Sequence, residues 1–192
     1  MIQSIIADYR YEKSFSKLTN HLHESIKDNL SETGTFWILC KNSFRKKEMV
    51  FNAFNISESF ENYYLKNIIL FHSDQSKSKN VYFGDYFDQI LFFSKNEKFY
   101  LNKDPIREKH IWKNVEWGKR SKNYNPKGKD PGNFWMKTKD DGKANITNHI
   151  PLNTKESVER IIKCSSNEGD KVQLINLSTE KNYNRNLIND SI

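Results

Sequence analysis

A chain of 192 residues can bury one sizeable core, so a single domain is expected. With 14% aromatic and 29% charged residues, a mean hydropathy of −0.85 and no run of 18 apolar residues, the composition excludes a disordered chain and a membrane-spanning helix. The formal charge of +7 is local, because residues 95–145 hold 14 Lys and Arg against 7 Asp and Glu, while the rest holds 17 of each.

Met1–Ile6 lacks a basic start followed by a long apolar run, so no signal peptide is expected. Gln3–Asp8 is an apolar run ending in an acid and reads as a buried strand. In Ser14–Leu30 the apolar residues Phe15, Leu18, Leu22, Ile26 and Leu30 step by three or four, which predicts an amphipathic helix with Ser14 as its N-cap. Thr33-Gly34-Thr35 breaks that pattern, and Thr35–Cys40 predicts a second buried strand. Apolar residues at 44, 49, 50, 53 and 54 predict a second helix over Phe44–Phe54. Tyr63–Phe71 and Asp88–Phe93 read as two further strands, loop-linked and antiparallel, with a polar loop at Ser73–Asn80.

From Asn102 to Thr138 the periodicity fades, and Tyr124–Gly132 is dense in turn formers, so irregular structure is expected. A helix follows over about Asn153–Ser165, with Val158, Ile161 and Ile162 on one face and a start signal in Thr154 and Ser157. Asn167-Glu168-Gly169-Asp170 ends it, Lys171–Leu177 reads as a last strand beside the first, and the tail from Ser178 is polar with little pattern. Alternating strands and helices predict an α/β fold: a partial Rossmann-like sheet, largely parallel, with helices on both faces and an irregular basic segment. Cys40 and Cys164 are too few and too distant for a disulfide scaffold or a zinc site, and are expected as buried thiols in a reducing, cytoplasmic compartment. His21, His23, His72 and His110 have no metal-ligand spacing.

Several short motifs occur in a fixed order. Asp8-Tyr9-Arg10-Tyr11 keeps the outer residues of a D-P-P-Y motif, and Gly34-Thr35-Phe36-Trp37-Ile38 matches G-T-L-x-I. Asp88–Lys95 resembles H-E-Y-I-L-x-x-S-K, and Gly128–Trp135 resembles G-K-x-P-G-D-V-W. Val158–Asp170 resembles the run that leads into a cofactor strand. Over roughly residues 3–172 the chain therefore resembles the β-group of DNA amino-methyltransferases. These are circularly permuted enzymes that methylate adenine N6 or cytosine N4 in DNA with S-adenosylmethionine, usually within restriction-modification systems.

The resemblance implies a role for each matching position. Asp8 is the acceptor for the target amine, and Tyr11 stacks on the flipped base. Asn153, Thr154 and Lys155 sit where the family lines its cofactor pocket, although a plain helix start explains them equally well. Residues 1–101 form the catalytic half, 102–145 the target-recognition segment, 146–177 the cofactor-side helix and strand, and 178–192 a tail. In the recognition segment Arg107, Lys109, Lys113, Lys119, Arg120, Lys122, Lys127 and Lys129 can neutralise phosphates, or form a solvated lysine-rich loop. Trp112, Trp117, Tyr124 and Trp135 interleave with them and either stack on bases or build a small core.

Two departures stand out. Tyr9-Arg10 replaces the two prolines that fix the catalytic backbone, and residues 171–192 contain no glycine where the family has its cofactor loop. The resemblance breaks off near Val172, as in a truncated, degenerate or frameshifted member. The expected partner is DNA, with either a second subunit completing the site or an inactive DNA-binding remnant as the outcome; no membrane partner is expected.

Overall fold

The computed structural model describes residues 1–11, 15–46, 48–72, 87–108, 125–139, 148–176 and 179–184. Its elements in chain order are β1 (Ile2–Asp8), α1 (Phe15–Asn29), β2 (Leu30–Cys40), β3 (Ser43–Arg45), β4 (Glu48–Val50), α2 (Asn52–Ser59), β5 (Tyr64–His72) and β6 (Phe87–Ser94). A short 3-10 turn at Asp104–Ile106 precedes β7 (Met136–Lys139), β8 (Asn148–Pro151), α3 (Thr154–Ser165), β9 (Lys171–Asn176) and β10 (Thr179–Asn184).

Six strands form the main sheet, in the order β10-β9-β1-β2-β6-β5. β1 pairs in parallel with β2 on one side and β9 on the other. β6 runs antiparallel to both β2 and β5, so β5 points the same way as β2. The expected α/β fold, the placement of the last strand beside the first, and the antiparallel late pair are all present.

Alternation along each strand builds a core on both faces. In β2, Phe36 and Ile38 join Leu18, Leu22 and Ile26 of α1 and Ile56 and Phe60 at the α2 end, while Trp37 and Leu39 face the other way, toward Val158, Ile161 and Ile162 of α3. Stacking reinforces both layers: Phe36 lies on Phe93 with ring centroids 4.8 Å apart, and Trp37 on Phe92 at 4.0 Å. Each helix covers the sheet with the stripe its spacing encodes.

The structure corrects four expectations. Phe44–Phe54 is not one helix but the β3–β4 hairpin followed by α2. The apolar spacing explains it: Phe44 and Met49 are five apart, which breaks a helical stripe but places them opposite each other across the hairpin. The tail beyond Ser178 contains β10, an edge strand that pairs through its backbone and so needs no apolar alternation. β2 begins at Leu30, directly after α1, with a register irregularity between its Ile2 and Ser4 pairings absorbing the Thr33-Gly34 step. Finally, α3 is capped by Asn153 rather than by Thr154 or Ser157: Asn153 accepts from the Glu156 backbone N–H, and the Glu156 side chain accepts from the Asn153 backbone N–H. The Ser14 cap lies outside the described residues.

Candidate active site

Asp8 ends β1, whose two neighbours are reached by connections on opposite faces of the sheet: α1 leads from β1 to β2, and α3 leads into β9. A crevice at such a switch point, beyond the carboxyl ends of the strands, is where open α/β sheets bind ligands. At the same end lie Cys40, which closes β2, and Asp88, the second residue of the antiparallel β6; Cys40 pairs in register with Gln89.

The chain leaves β1 through Tyr9, Arg10 and Tyr11, and each side chain takes a different direction. Tyr9, 5% exposed, turns under α1, with its ring 5.2 Å from Phe15 and its hydroxyl 3.5 Å from Thr19 Oγ1. Burial raises its phenol pKa well above the ordinary range. Tyr11 points outward and is 57% exposed. Arg10, only 7% exposed, folds back onto the acid two residues before it.

Its guanidinium grips Asp8 with two parallel bonds, Nε to Oδ1 at 3.0 Å and Nη2 to Oδ2 at 2.7 Å. The Arg10 backbone N–H also donates to Asp8 Oδ1, at 3.0 Å. Nη1 reaches Asp88 Oδ2 at 3.3 Å and Thr154 Oγ1 at 2.8 Å. Tyr11 and Phe71 lie beside the same cation, at 5.3 and 5.6 Å from ring centroid to Cζ. Burial opposes the Arg10 charge, but the bond and charge of Asp8, with Asp88 and Tyr11 adding to them, outweigh it and raise its pKa above the ordinary value. One guanidinium thus joins the end of β1, the start of β6 and the first residue of α3. Cys40 sits against this cluster, and its thiol pKa is pushed up by burial and then by the charges of Asp88 and Asp8.

The structure therefore brings together Asp8, Tyr11 and Thr154 of the residues singled out in the sequence, through Arg10. Asn153 is exposed and committed to the α3 cap, and Lys155 is exposed one residue further on. Thr154 Oγ1 accepts from Arg10, and β10 lies antiparallel along β9. Thr154 is engaged by Arg10 and Asn153 by its own helix cap, so neither side chain is free as it stands to hold the cofactor that the resemblance implies. A cavity of about 600 Å³ lies elsewhere, walled by Trp37, Phe92, Phe99 and Trp135, and none of Asp8, Arg10 and Asp88 lines it.

In the basic segment, Arg107 Nε donates to Asp104 Oδ1 at 2.9 Å, and the Lys127 ammonium holds the other oxygen of the same carboxylate. These contacts depress the Asp104 pKa. Lys129 is exposed and pairs with Glu108 through the backbone. Gly128, at φ 115°, lets that pairing close, because a Cβ there would stand 2.5 Å from the Glu108 carbonyl oxygen. Trp135 is buried in the core, with Arg160 over its ring at 5.4 Å. Lys109, Trp112, Lys113, Trp117, Lys119, Arg120, Lys122 and Tyr124 lie outside the described residues.

Sequence reasoning missed Arg10 and Asp88 as site residues. The available signal was an arginine two positions after a strand-end acid, and an aspartate at the head of a mostly apolar strand.

Among the solved structures that share this fold, three align at 12–15% sequence identity. The M1.HpyAVI–SAM complex aligns over 89% of this chain and 68% of its own, with a TM-score of 0.51 and 15% identity. The PvuII DNA methyltransferase, described as cytosine-N4-specific, aligns over 89% and 66%, with a TM-score of 0.57 and 12% identity. A second crystal structure of M1.HpyAVI aligns over 92% of this chain and 68% of its own, with a TM-score of 0.53 and 13% identity. Residues 3–173, from the start of β1 into β9, match the family described as DNA methylase, and the chain belongs to that family.

Proposed function

We propose that this chain carries the target-base side of a DNA amino-methyltransferase, with S-adenosylmethionine as methyl donor, DNA as substrate and a restriction-modification system as its setting. The observation behind this reading is the Asp8 carboxylate at the switch point of a methylase-type sheet, where both its oxygens accept from a planar N–H donor. An exocyclic amine conjugated to a base is a weak nucleophile. A carboxylate that accepts one of its N–H bonds, with a backbone carbonyl taking the other, frees the nitrogen lone pair for attack. The base must leave the duplex to reach Asp8, and the exposed ring of Tyr11 offers it a stacking face. Adenine N6 is the first amine to assay and cytosine N4 the second. On the donor side, Asn153 and Thr154 are engaged by the α3 cap and by Arg10, and Lys155 is exposed beside them.

Arg10 favours a second reading. Its guanidinium takes both oxygens of Asp8, the atoms that an incoming amine needs. On that reading the chain is an inactive DNA-binding remnant, or a subunit whose site is completed by a partner.

Incubation of the full chain with methyl-labelled S-adenosylmethionine and unmethylated duplex DNA separates the two. Label appearing on adenine N6 or cytosine N4, and lost in Asp8→Ala, supports the enzyme. DNA that is bound but stays unlabelled at saturating donor supports the second reading.

A further inference from the structure

The cavity walled by Trp37, Phe92, Phe99 and Trp135 takes no part in the chemistry assigned to Asp8. It lies on the α3 face of the sheet, where Trp37 and Phe92 share a layer with Val158, Ile161 and Ile162. Trp37 stands two residues before Leu39, the register partner of Asp8, so the cavity is set back from the switch point along β2. Its volume of about 600 Å³ falls within the ~300–1,000 Å³ usual for small-molecule sites. Close-packed cores leave few spaces larger than a water molecule, so a space of this size is a pocket rather than a packing gap.

The walls offer ring surface only. Trp37 Nε1 donates to Thr35 Oγ1 at 3.1 Å and Trp135 Nε1 to the Gly132 carbonyl at 3.1 Å, so both indole N–H groups are already engaged. Phe99 meets Phe92 edge to face, with centroids 5.7 Å apart and planes at 76°. Rings set in two planes around one space suit a flat aromatic guest, which stacks on one and meets the other by its edge. The lining also holds a charge, placed there by an irregularity of β5. Leu65 pairs with Phe93 and Asn67 with Phe92, which leaves Lys66 over as a bulge. Neighbours on a regular strand face opposite sides, yet Lys66 and Asn67 both line the cavity. The Lys66 ammonium lies 4.9 Å from the Phe99 ring centroid and 4.7 Å from that of Tyr64, and no ion pair among the described residues includes it. Lys103, the other cation of the lining, is held by Asp130.

We infer that this cavity is a binding site for a small planar aromatic anion. Its ring system lies among Trp37, Phe92, Phe99 and Trp135, and its carboxylate, sulfonate or phosphate accepts from the Lys66 ammonium. The half-buried position of Lys66 strengthens that contact, because less water competes for the charge there. The site is separate from the Asp8 cluster, and the inference does not depend on the methylation reading.

The test is titration of the full chain with two fluorescent probes of one ring system, the anion anilinonaphthalene sulfonate and the uncharged N-phenylnaphthylamine, read from probe emission. Wild type binds both saturably, one molecule per chain. Lys66→Ala weakens the sulfonate about tenfold, the loss of one charge-assisted hydrogen bond, and leaves the uncharged probe unchanged. Leu101→Trp, which fills the cavity from its half-buried wall, binds neither probe. Lys17→Ala, on the exposed side of α1, binds both as wild type does. Thermal unfolding of each variant checks that it is folded. If wild type binds neither probe, or if a folded Leu101→Trp still binds both, the inference fails. If Lys66→Ala holds the sulfonate as wild type does, or loses both probes alike, the ammonium seats no anion and the inference fails. If Leu101→Trp does not fold, the comparison of the two probes in Lys66→Ala decides alone. Displacement of the sulfonate by S-adenosylmethionine would make the cavity the methyl donor's site and overturn the inference, while the methylation reading would stand.

Discussion

Arg10 decides more than any other side chain at the candidate site. Removing it leaves Asp88, 3% exposed, and Asp8 facing each other without the cation between them. Breaking one member of a buried ionic cluster is expected to cost about 3–5 kcal/mol, so Arg10→Ala should unfold at clearly lower urea than wild type. Arg10→Lys keeps the charge but loses the fork that grips both Asp8 oxygens, and should fall between the two. If Arg10→Ala matches wild type in urea, the cluster does not stabilise the fold. Alkaline behaviour follows from the neighbours. Cys40 and Tyr9 both have pKa values raised by burial from ordinary values of 9.0 and 10.0. A raised pKa means that the folded form keeps its proton longer than the unfolded chain does. Their contribution is complete below the unfolded values and is lost as pH climbs past them toward the folded ones. Stability measured by thermal unfolding should therefore hold to about pH 9 and decline above it, and Cys40→Ala should soften the first part of that decline. Below that pH a thiol reagent should leave Cys40 unmodified until the chain unfolds.

The elements differ in how openly the sequence announces them. α1 is readable from its helical apolar spacing, and β1, β2, β6 and β9 from short apolar runs that are buried in the fold, while β5 is buried only toward its end, at Ile69 and Phe71. The β3–β4 hairpin defeats that logic, since its apolar residues are exposed and periodicity reports burial. β10 defeats it differently, because an edge strand is specified by a neighbour's unpaired backbone. α3 starts where its sequence suggests, near Asn153, but the capping side chain is Asn153 itself rather than the Thr154 and Ser157 read as its start signal. Asn153→Ala removes the side-chain half of its capping box and should cost about 1 kcal/mol in chemical denaturation, whereas Thr154→Ala should act through Arg10 rather than through the cap. Equal losses from the two variants would contradict that division.

Across the molecule as a whole, charge separates from fold. Residues 95–145 carry the entire net charge of +7, and the rest of the chain sums to zero. If about four to six phosphates are contacted, log affinity for DNA should fall against log salt with a slope of roughly −4 to −5. Reversal of Lys119, Arg120 and Lys122 together should flatten that slope. Arg107 and Lys127 should matter less, because both are already held by Asp104. A slope near zero would reduce the segment to a solvated loop. Calorimetric titration of the chain with S-adenosylmethionine should give a dissociation constant weaker than micromolar; a micromolar or tighter value would show that the β9–β10 end forms a cofactor cradle after all.

Strand and helix periods, the order of motifs and the clustering of lysines are local properties of the chain, so the α/β fold and the family resemblance were legible before any coordinates. The partners of Asp8 were not. Arg10 meets it because the chain turns back at the end of β1. Asp88 arrives from 78 residues away and Thr154 from 144. Nothing in the spacing of those residues encodes their convergence; it is set by strand order and by the register of β1, β2 and β6 at one end of the sheet. The tertiary structure alone showed that the acid expected to receive an amine already holds a guanidinium, because a cation as buried as Arg10 costs too much to leave unpaired and the half-buried Asp8 and buried Asp88 are the acids within its reach.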